Sequence, residues 1–140
     1  MAKPSEFVSE IKKIPNTAER VYDFLSNMNN LSVLSSQLPP DKIENLETTD
    51  DTCTFTVKGL GETGIQIIEK EEFKTIKLTG HGRVPFTFYF WIQLKEVAPY
   101  DTRLRLTLHA ELNAMMKMML KKKLKEGINQ IATALTQLPY

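Results

Sequence analysis

The 140-residue chain contains a single cysteine, Cys53, and only two histidines, His81 and His109. One cysteine cannot form a disulfide within the chain, which favours an intracellular setting. Two histidines are too few for most zinc sites unless carboxylates complete the ligand set. We therefore expect a protein that holds neither a metal ion nor another cofactor.

Long apolar runs are also missing. No segment approaches the roughly 18 consecutive apolar residues of a membrane-spanning helix, and the opening MAKPSEFVSE lacks the apolar stretch of a secretory signal. The net charge is only +1, so no overall field favours nucleic acid. We expect one soluble, cytoplasmic domain over residues 1–140, which neither binds nucleic acid nor inserts stably into a membrane.

Motifs of common catalytic sites are absent: the chain has no G-x-S-x-G elbow, no P-loop and no C-x-x-C. The glycine-rich GLGETG (Gly59–Gly64) is interpreted as a hairpin turn, because it lies between strands and does not open a helix. His109 and Glu111 are two residues apart on a predicted strand, so their side chains point the same way, as two metal ligands would. Their face of the strand also carries arginines and is expected to be exposed to solvent, so we interpret the pair as part of a polar surface rather than a metal site. Cys53 is expected to be a buried structural thiol, since its neighbours are apolar.

Helical features follow the first strand. That strand is predicted over residues 5–14, with its inner face undecided between Phe7 with Ile11 and Val8 with Ile14. Asn16 is expected to cap a first helix, and a second short helix is predicted before the Pro39–Pro40 pair. The apolar stripe of the first helix is Val21, Phe24, Leu25 and Met28, and that of the second is Leu31, Leu34 and Leu38.

From residue 41 to residue 111 the pattern changes to alternation of apolar and polar residues, which predicts strands with one wet and one dry face. The clearest segments are PFTFYFWIQLKEV (85–97) and TRLRLTLHAEL (102–112). Short connections between about six such strands indicate an antiparallel meander. A long helix then closes the chain, and it is the element available to cover the dry face of the sheet.

This order of elements, together with the segment IKKIPNTAERVYDFLSNMNNL, resembles the START-like, or SRPBCC, superfamily. The residues that carry the resemblance are Val21, Tyr22, Phe24, Leu25, Asn27 and Asn29. The resemblance implies an α+β helix-grip fold: a curved antiparallel sheet of about seven strands wrapped around a long C-terminal helix, with two short helices after strand 1. It also implies a cavity for lipids, polyketides or other apolar molecules. Because the superfamily includes cyclases, dehydratases and chaperone ATPase activators, the fold alone does not choose a function.

The final helix, NAMMKMMLKKKLKEGINQIATALTQL (113–138), has two apolar faces that differ in direction by about a quarter of a turn. The first consists of Leu112, Met115, Met116 and Met119, and the second of Leu124, Ile128, Ile131 and Leu135. We interpret the second face as packed on the sheet and the first as a lid over the cavity mouth, with either a kink near Gly127 or two successive contact surfaces. Alternatively, the methionines fill gaps in the core.

The same segment carries five lysines and one acid, Glu126, so its local charge is +4 and the rest of the chain carries −3 (+1 minus +4). One interpretation is that the lysines form a solvated face of the helix. The other is that they attract an anionic headgroup or an acidic partner to the pocket entrance.

The expected function is non-catalytic binding of a small hydrophobic molecule, with apolar burial supplying the affinity. The alternative is that the same inward residues close into a solid core. The predicted lining residues are Phe55, Val57, Ile76, Leu78, Phe86, Phe88, Phe90, Leu104, Leu106, Leu108, Met115, Met116 and Met119.

Two other functions remain open. An enzyme of the cyclase or dehydratase type would need an acid or base that projects into the cavity. The available groups are Glu10, Lys12, Glu69, Glu71, His81 and Arg83. An interaction protein, such as a homodimer or a chaperone activator, would be indicated if Tyr89, Trp91 and Tyr100 formed one exposed patch.

Overall fold

The computed structural model describes residues 4–30, 43–57, 61–82, 84, 86–138 and 140. Within these residues the elements are β1 (Ser5–Val8), β2 (Lys12–Ile14), α1 (Ala18–Leu25), β3 (Ile43–Thr48), β4 (Thr52–Val57), β5 (Gly61–Glu71), β6 (Thr75–Gly82), β7 (Phe88–Ala98), β8 (Asp101–Ala110) and α2 (Ala114–Leu135). The strands form one antiparallel sheet in the order β1-β8-β7-β6-β5-β4-β3, and β2 also pairs with β8. This α+β helix-grip arrangement confirms the predicted fold class.

The first helix is confirmed, but its cap is not the predicted one. Asn16 lies one residue too early: the N-cap is Thr17, whose Oγ1 accepts a hydrogen bond from the N–H of Arg20. A carboxylate oxygen of Glu96, on β7, accepts the N–H of Ala18 at 2.7 Å, which ties the start of α1 to the sheet. The predicted second helix, at residues 31–38, lies outside the described residues.

The predicted first strand is two short strands, and neither proposed inner face is correct. Phe7 and Ile14 are buried, whereas Val8 and Ile11 are 44% and 63% exposed. Positions seven residues apart would lie on opposite faces of one uninterrupted strand. The chain leaves the sheet between β1 and β2, and it returns with its alternation shifted so that both strands bury an apolar residue.

Ser9 replaces the missing strand pairing in this break. Its N–H donates to the carbonyl of Leu106 at 2.8 Å, and its Oγ accepts from the N–H of Leu106 at 2.9 Å. The hydroxyl oxygen of Ser9 therefore accepts the hydrogen bond that a backbone carbonyl of a paired strand accepts elsewhere in the sheet.

Ser9→Ala is expected to lower the free energy of unfolding by about 1–3 kcal/mol, because it leaves the buried N–H of Leu106 without an acceptor. Urea denaturation measures the change. Ser26→Ala is the matched control, since the Ser26 hydroxyl makes only a 3.4 Å contact with the carbonyl of Asp23 at an exposed site. A loss at Ser9 no larger than the control would contradict this role.

The described part of the GLGETG segment is strand, which corrects its interpretation as a turn. Gly61 to Gly64 form the start of β5, and Gly64 lies opposite Thr54 of β4. A Cβ atom on Gly64 would lie 2.3 Å from the carbonyl oxygen of Cys53. The glycine is therefore required by the close approach of the neighbouring backbone.

The second half of α2 packs on the sheet, as predicted. It lies against β1 and β8, and its buried residues are Ile128, Ala132 and Leu135. Ile131, which was predicted to share this face, is 47% exposed. The helix continues through Gly127, where a Cβ atom would meet no other atom within 4 Å.

Candidate functional site

The inner face of the sheet changes along its length from a packed core to an incompletely covered surface. Strand register aligns Ile76, Ile92 and Leu106 across β6, β7 and β8, and all three are buried. Two positions further towards the start of β7, Phe90 lies between Leu78 and Leu108 and is only half-buried. The core therefore loosens towards the end of the sheet where β7 begins.

Aromatic side chains occupy this loosened end, which we call the aromatic end. Its members are Phe55, Phe86, Phe88 and Phe90, and each is half-buried. The rings of Phe86 and Phe88 meet edge to face with centroids 6.0 Å apart. Gly80 leaves room for this arrangement, because a Cβ atom there would lie 2.6 Å from Val84 Cγ1 and 3.2 Å from Phe88 Cε1.

The first half of α2 begins beside the aromatic end. β8 ends at Ala110, which pairs with Phe88, and the Asn113 side chain caps α2 by accepting the N–H of Met116 at 2.8 Å. From there a row with a spacing of four residues runs along the helix. The row, which we call the inward row, consists of the half-buried Met116, Leu120 and Leu124 and the buried Ile128 and Ala132.

Met115 and Met119 do not belong to the inward row. They are 72% and 67% exposed, and Met118 is 87% exposed. The alternative in which these methionines fill core gaps is therefore wrong for all three. Helix periodicity misplaced Met115 and Met119 because each lies one residue before a member of the row, and neighbouring positions differ by about 100°.

The predicted lining residues fall into three groups. Ile76, Leu78, Leu104, Leu106 and Leu108 are buried; Phe55, Phe86, Phe88, Phe90 and Met116 are half-buried; Met115 and Met119 are exposed. The side chain of Val57 lies outside the described part of the chain. Only half-buried residues combine contact with the core and free apolar surface, so the candidate site narrows to the aromatic end and the start of the inward row.

The predicted lining omitted several residues of the same kind, although the two predicted faces of the last helix already contained Leu112 and Leu124. Leu46, Ile65, Leu112, Leu120 and Leu124 are half-buried apolar residues packed against the core or on α2. For Leu120 and Leu124 the signal was present in the four-residue spacing from Met116. For Leu46 there was none, because its strand β3 carries a bulge opposite β4.

None of the described candidate acid–base groups is buried at this site, although His81 lies next to Gly80 at the aromatic end. Glu10, Glu69, Glu71 and His81 are exposed, and Arg83 lies outside the described residues. Lys12 is partly buried, with its Nζ 3.2 Å from a carboxylate oxygen of Glu10. It pairs with Leu104, four residues and about 13 Å along β8 from Leu108.

The outer face of the sheet holds His109 and the aromatic residues Tyr89 and Trp91. His109 Nε2 lies 2.7 Å from a Glu6 carboxylate oxygen, and its ring meets that of Trp91 at 4.7 Å. Tyr89 lies beside Trp91, but Tyr100 is in the turn after β7, roughly 30 Å along the strand from Tyr89. The three aromatic residues therefore do not form one patch, and a homodimer stays a prediction that light scattering would test.

Cys53 is buried, as predicted. Burial raises the pKa of its thiol, so the thiolate that reactive cysteines need is disfavoured. Within the described ranges, no group of three or more His, Cys, Asp and Glu residues is arranged to hold a metal ion. Neither helix of the described chain is long and apolar enough to cross a membrane.

Comparison with known proteins relates this chain to solved structures only. No family model matches it, and no curated protein matches it significantly. Norcoclaurine synthase from Thalictrum flavum, a point mutant in complex with a transition state analogue, superimposes with a TM-score of 0.72 at 12% identity, over 98% of this chain and 96% of the other.

Two further structures give the same result. The same synthase in complex with dopamine and hydroxybenzaldehyde has a TM-score of 0.72 at 12% identity, covering 96% of this chain and 87% of the other. A conserved protein from Geobacillus kaustophilus has a TM-score of 0.66 at 18% identity, covering 95% and 93%. With the strand order and the C-terminal helix described above, these likenesses show that the chain has the helix-grip fold that its sequence resemblance implied.

Proposed function

We propose that this protein binds a small hydrophobic molecule, lipid-like or polyketide-like, between the aromatic end of the sheet and the first half of α2, without catalysing a reaction. The observation that carries the proposal is the contrast in burial along the inner face. Ile76, Leu104 and Leu106 are completely covered, whereas Phe88 and Phe90 on β7 and Met116 on α2 keep free apolar surface.

Half-covered apolar side chains on neighbouring elements are suited to a ligand that completes their burial. Each Å² of apolar surface removed from water contributes about 25 cal/mol, so contact area would dominate the affinity. A structural neighbour of this fold is described in complex with dopamine and hydroxybenzaldehyde, two small aromatic molecules. That complex supports a small-molecule ligand as the class, although at 12% identity it does not carry the ligand over to this chain.

Binding without turnover is favoured over a cyclase or dehydratase because of where the charged groups lie. A general acid or base must reach the reacting group directly or through one water. Among the described candidates, Glu69, Glu71 and His81 are exposed, and Lys12 lies at the far end of the inner face. The aromatic end thus offers surface for burial rather than a positioned proton donor.

Binding of the neutral fluorescent probe 1-aminoanthracene tests the proposal. Met116→Gln is expected to weaken probe binding by roughly fivefold, because it removes about 1 kcal/mol of apolar contact from the inward row. Met118→Gln is the matched control, since Met118 is 87% exposed on another side of the same helix. Fluorescence titration gives both affinities.

Two results would contradict the site. One is a wild-type protein that does not bind the probe, and the other is equal weakening by Met116→Gln and Met118→Gln. If neither result is found, mass spectrometry of small molecules that co-purify with the protein from its native host would identify the natural ligand class.

A further inference from the structure

The outward side of α2 combines exposed methionines with a local positive charge. Met115, Met118 and Met119 are 72%, 87% and 67% exposed. Their spacing of three and four residues places them together on the helix surface. We call these three residues the outer methionine patch.

Five exposed lysines lie on the same helix as the outer methionine patch. They are Lys117, Lys121, Lys122, Lys123 and Lys125. Glu126 is the one acid in residues 113–138, so this segment carries +4 while the rest of the chain carries −3 (+1 minus +4). The positive charge of the protein is therefore concentrated around the patch.

This arrangement explains the broken apolar pattern of the helix sequence. The first half of α2 has two apolar surfaces, because Met116, Leu120 and Leu124 face inward while the outer methionine patch faces solvent. The inward row is accounted for by the sheet and by the proposed ligand. Neither of them covers the outer methionine patch.

We propose that the outer methionine patch and its lysines dock the protein reversibly on an anionic lipid bilayer. A second copy of this chain is a poorer partner, because it would bring two +4 segments together. A bilayer supplies both attractions at once: negative headgroups for the lysines and an acyl boundary for the methionines. Long lysine side chains can keep their charge at the headgroups while their stems lie along apolar surface.

Docking would bring the proposed ligand site to the membrane. The inward row begins at Met116, in the same turn of helix as the outer methionine patch, so a bilayer that contacts the patch lies close to the proposed ligand site. An apolar ligand could then pass between the bilayer and the protein without crossing water. This transfer rests on the proposed function, whereas the docking does not.

Vesicle co-sedimentation of the full chain tests the docking. The wild-type protein is expected to bind vesicles of equal parts phosphatidylcholine and phosphatidylglycerol, and not vesicles of phosphatidylcholine alone. Raising the salt from about 0.1 M to about 1 M should release it, because the Debye length falls from about 10 Å to about 3 Å. Failure to bind the anionic vesicles would overturn the proposal.

Charge variants locate the surface. Changing Lys121, Lys122 and Lys125 to Gln is expected to weaken binding on the order of a hundredfold, at roughly fivefold per lysine. The matched control changes the exposed Lys70, Lys74 and Lys95 to Gln, which alters the net charge equally. Equal weakening by the two triple variants would show a response to total charge and would overturn the assignment to α2.

Single methionine variants separate this proposal from the ligand site. Met118→Gln is expected to weaken vesicle binding by about tenfold while leaving 1-aminoanthracene binding unchanged. Met116→Gln is expected to weaken 1-aminoanthracene binding while leaving vesicle binding unchanged. If Met118→Gln leaves vesicle binding unchanged, the assignment of the bilayer contact to the outer methionine patch is wrong, whatever the probe titration shows. If Met116→Gln leaves probe binding unchanged, the ligand site is wrong while the docking stands.

Discussion

Leu106→Ala is expected to lower the free energy of unfolding by about 3–5 kcal/mol. Leu106 is 0% exposed and lies opposite the buried Ile92 on β7. Its backbone also pairs with Ser9 across the break between β1 and β2. Truncation would leave a cavity at the point where three strands are held together, and a close-packed sheet relaxes only in part around such a cavity.

Urea denaturation with an unchanged m-value would measure this loss. Ile131→Ala is the matched control, because Ile131 is an aliphatic residue of α2 that is 47% exposed. Its truncation is expected to cost less than about 1 kcal/mol. Losses of similar size at the two positions would contradict the division between the buried and the exposed faces of the molecule.

Gly64→Ala is the second substitution with a large expected effect, a loss of about 3 kcal/mol in the free energy of unfolding. The new Cβ would lie 2.3 Å from the carbonyl oxygen of Cys53 and 3.0 Å from Thr54 Cα. Both are backbone atoms, so β4 and β5 would have to separate. Thermal denaturation followed by circular dichroism would report the loss as a lower Tm.

The opposite result is expected for Gly127→Ala, which serves as the control for the Gly64 substitution. Gly127 lies inside α2, and a Cβ atom there would meet nothing within 4 Å. The substitution should stabilise the protein by about 0.5–1 kcal/mol through helix propensity. A destabilised Gly127→Ala variant would mean that the helix depends on the glycine there, which would contradict the open environment.

Alternation in the sequence was sufficient to predict the central sheet. In β7, Ile92 and Leu94 are buried while Lys95 is exposed, as the two-residue period requires. In β8, Leu104 and Leu106 are buried while Arg103 and Arg105 are exposed. These strands are long and regular, so local pattern and tertiary burial agree. The order of elements then led to the fold that the structural comparisons show.

The first strand was not predictable in the same way. Val8 is exposed because it alternates with the buried Phe7 in β1, and Ile11 is exposed because the chain leaves the ladder between β1 and β2. The reason is the pair of hydrogen bonds between Ser9 and Leu106, which are 97 residues apart. Sequence periodicity reports only local order, so a contact of this range leaves no trace in it.

The candidate site was only partly accessible to sequence reasoning. The alternating phenylalanines of β7 placed Phe88 and Phe90 on the inner face, but pattern alone could not show that they are half-covered while Leu106 is fully covered. On α2 the choice between Met115 and Met116 depends on how the helix is rotated on the sheet. That rotation is set by Ile128 and Ala132, more than two turns further along the helix.

The length of the lysine run 121–123 has a consequence for how this helix can change in evolution. With the second half of α2 held on β1 and β8, deleting one of these lysines would turn the preceding residues by about 100°. Met115 and Met119 would then take the directions that Met116 and Leu120 now have. Substitutions within the run should be tolerated far more often than single-residue deletions, because only a deletion replaces the side chains offered to the proposed ligand site with those that now point outward.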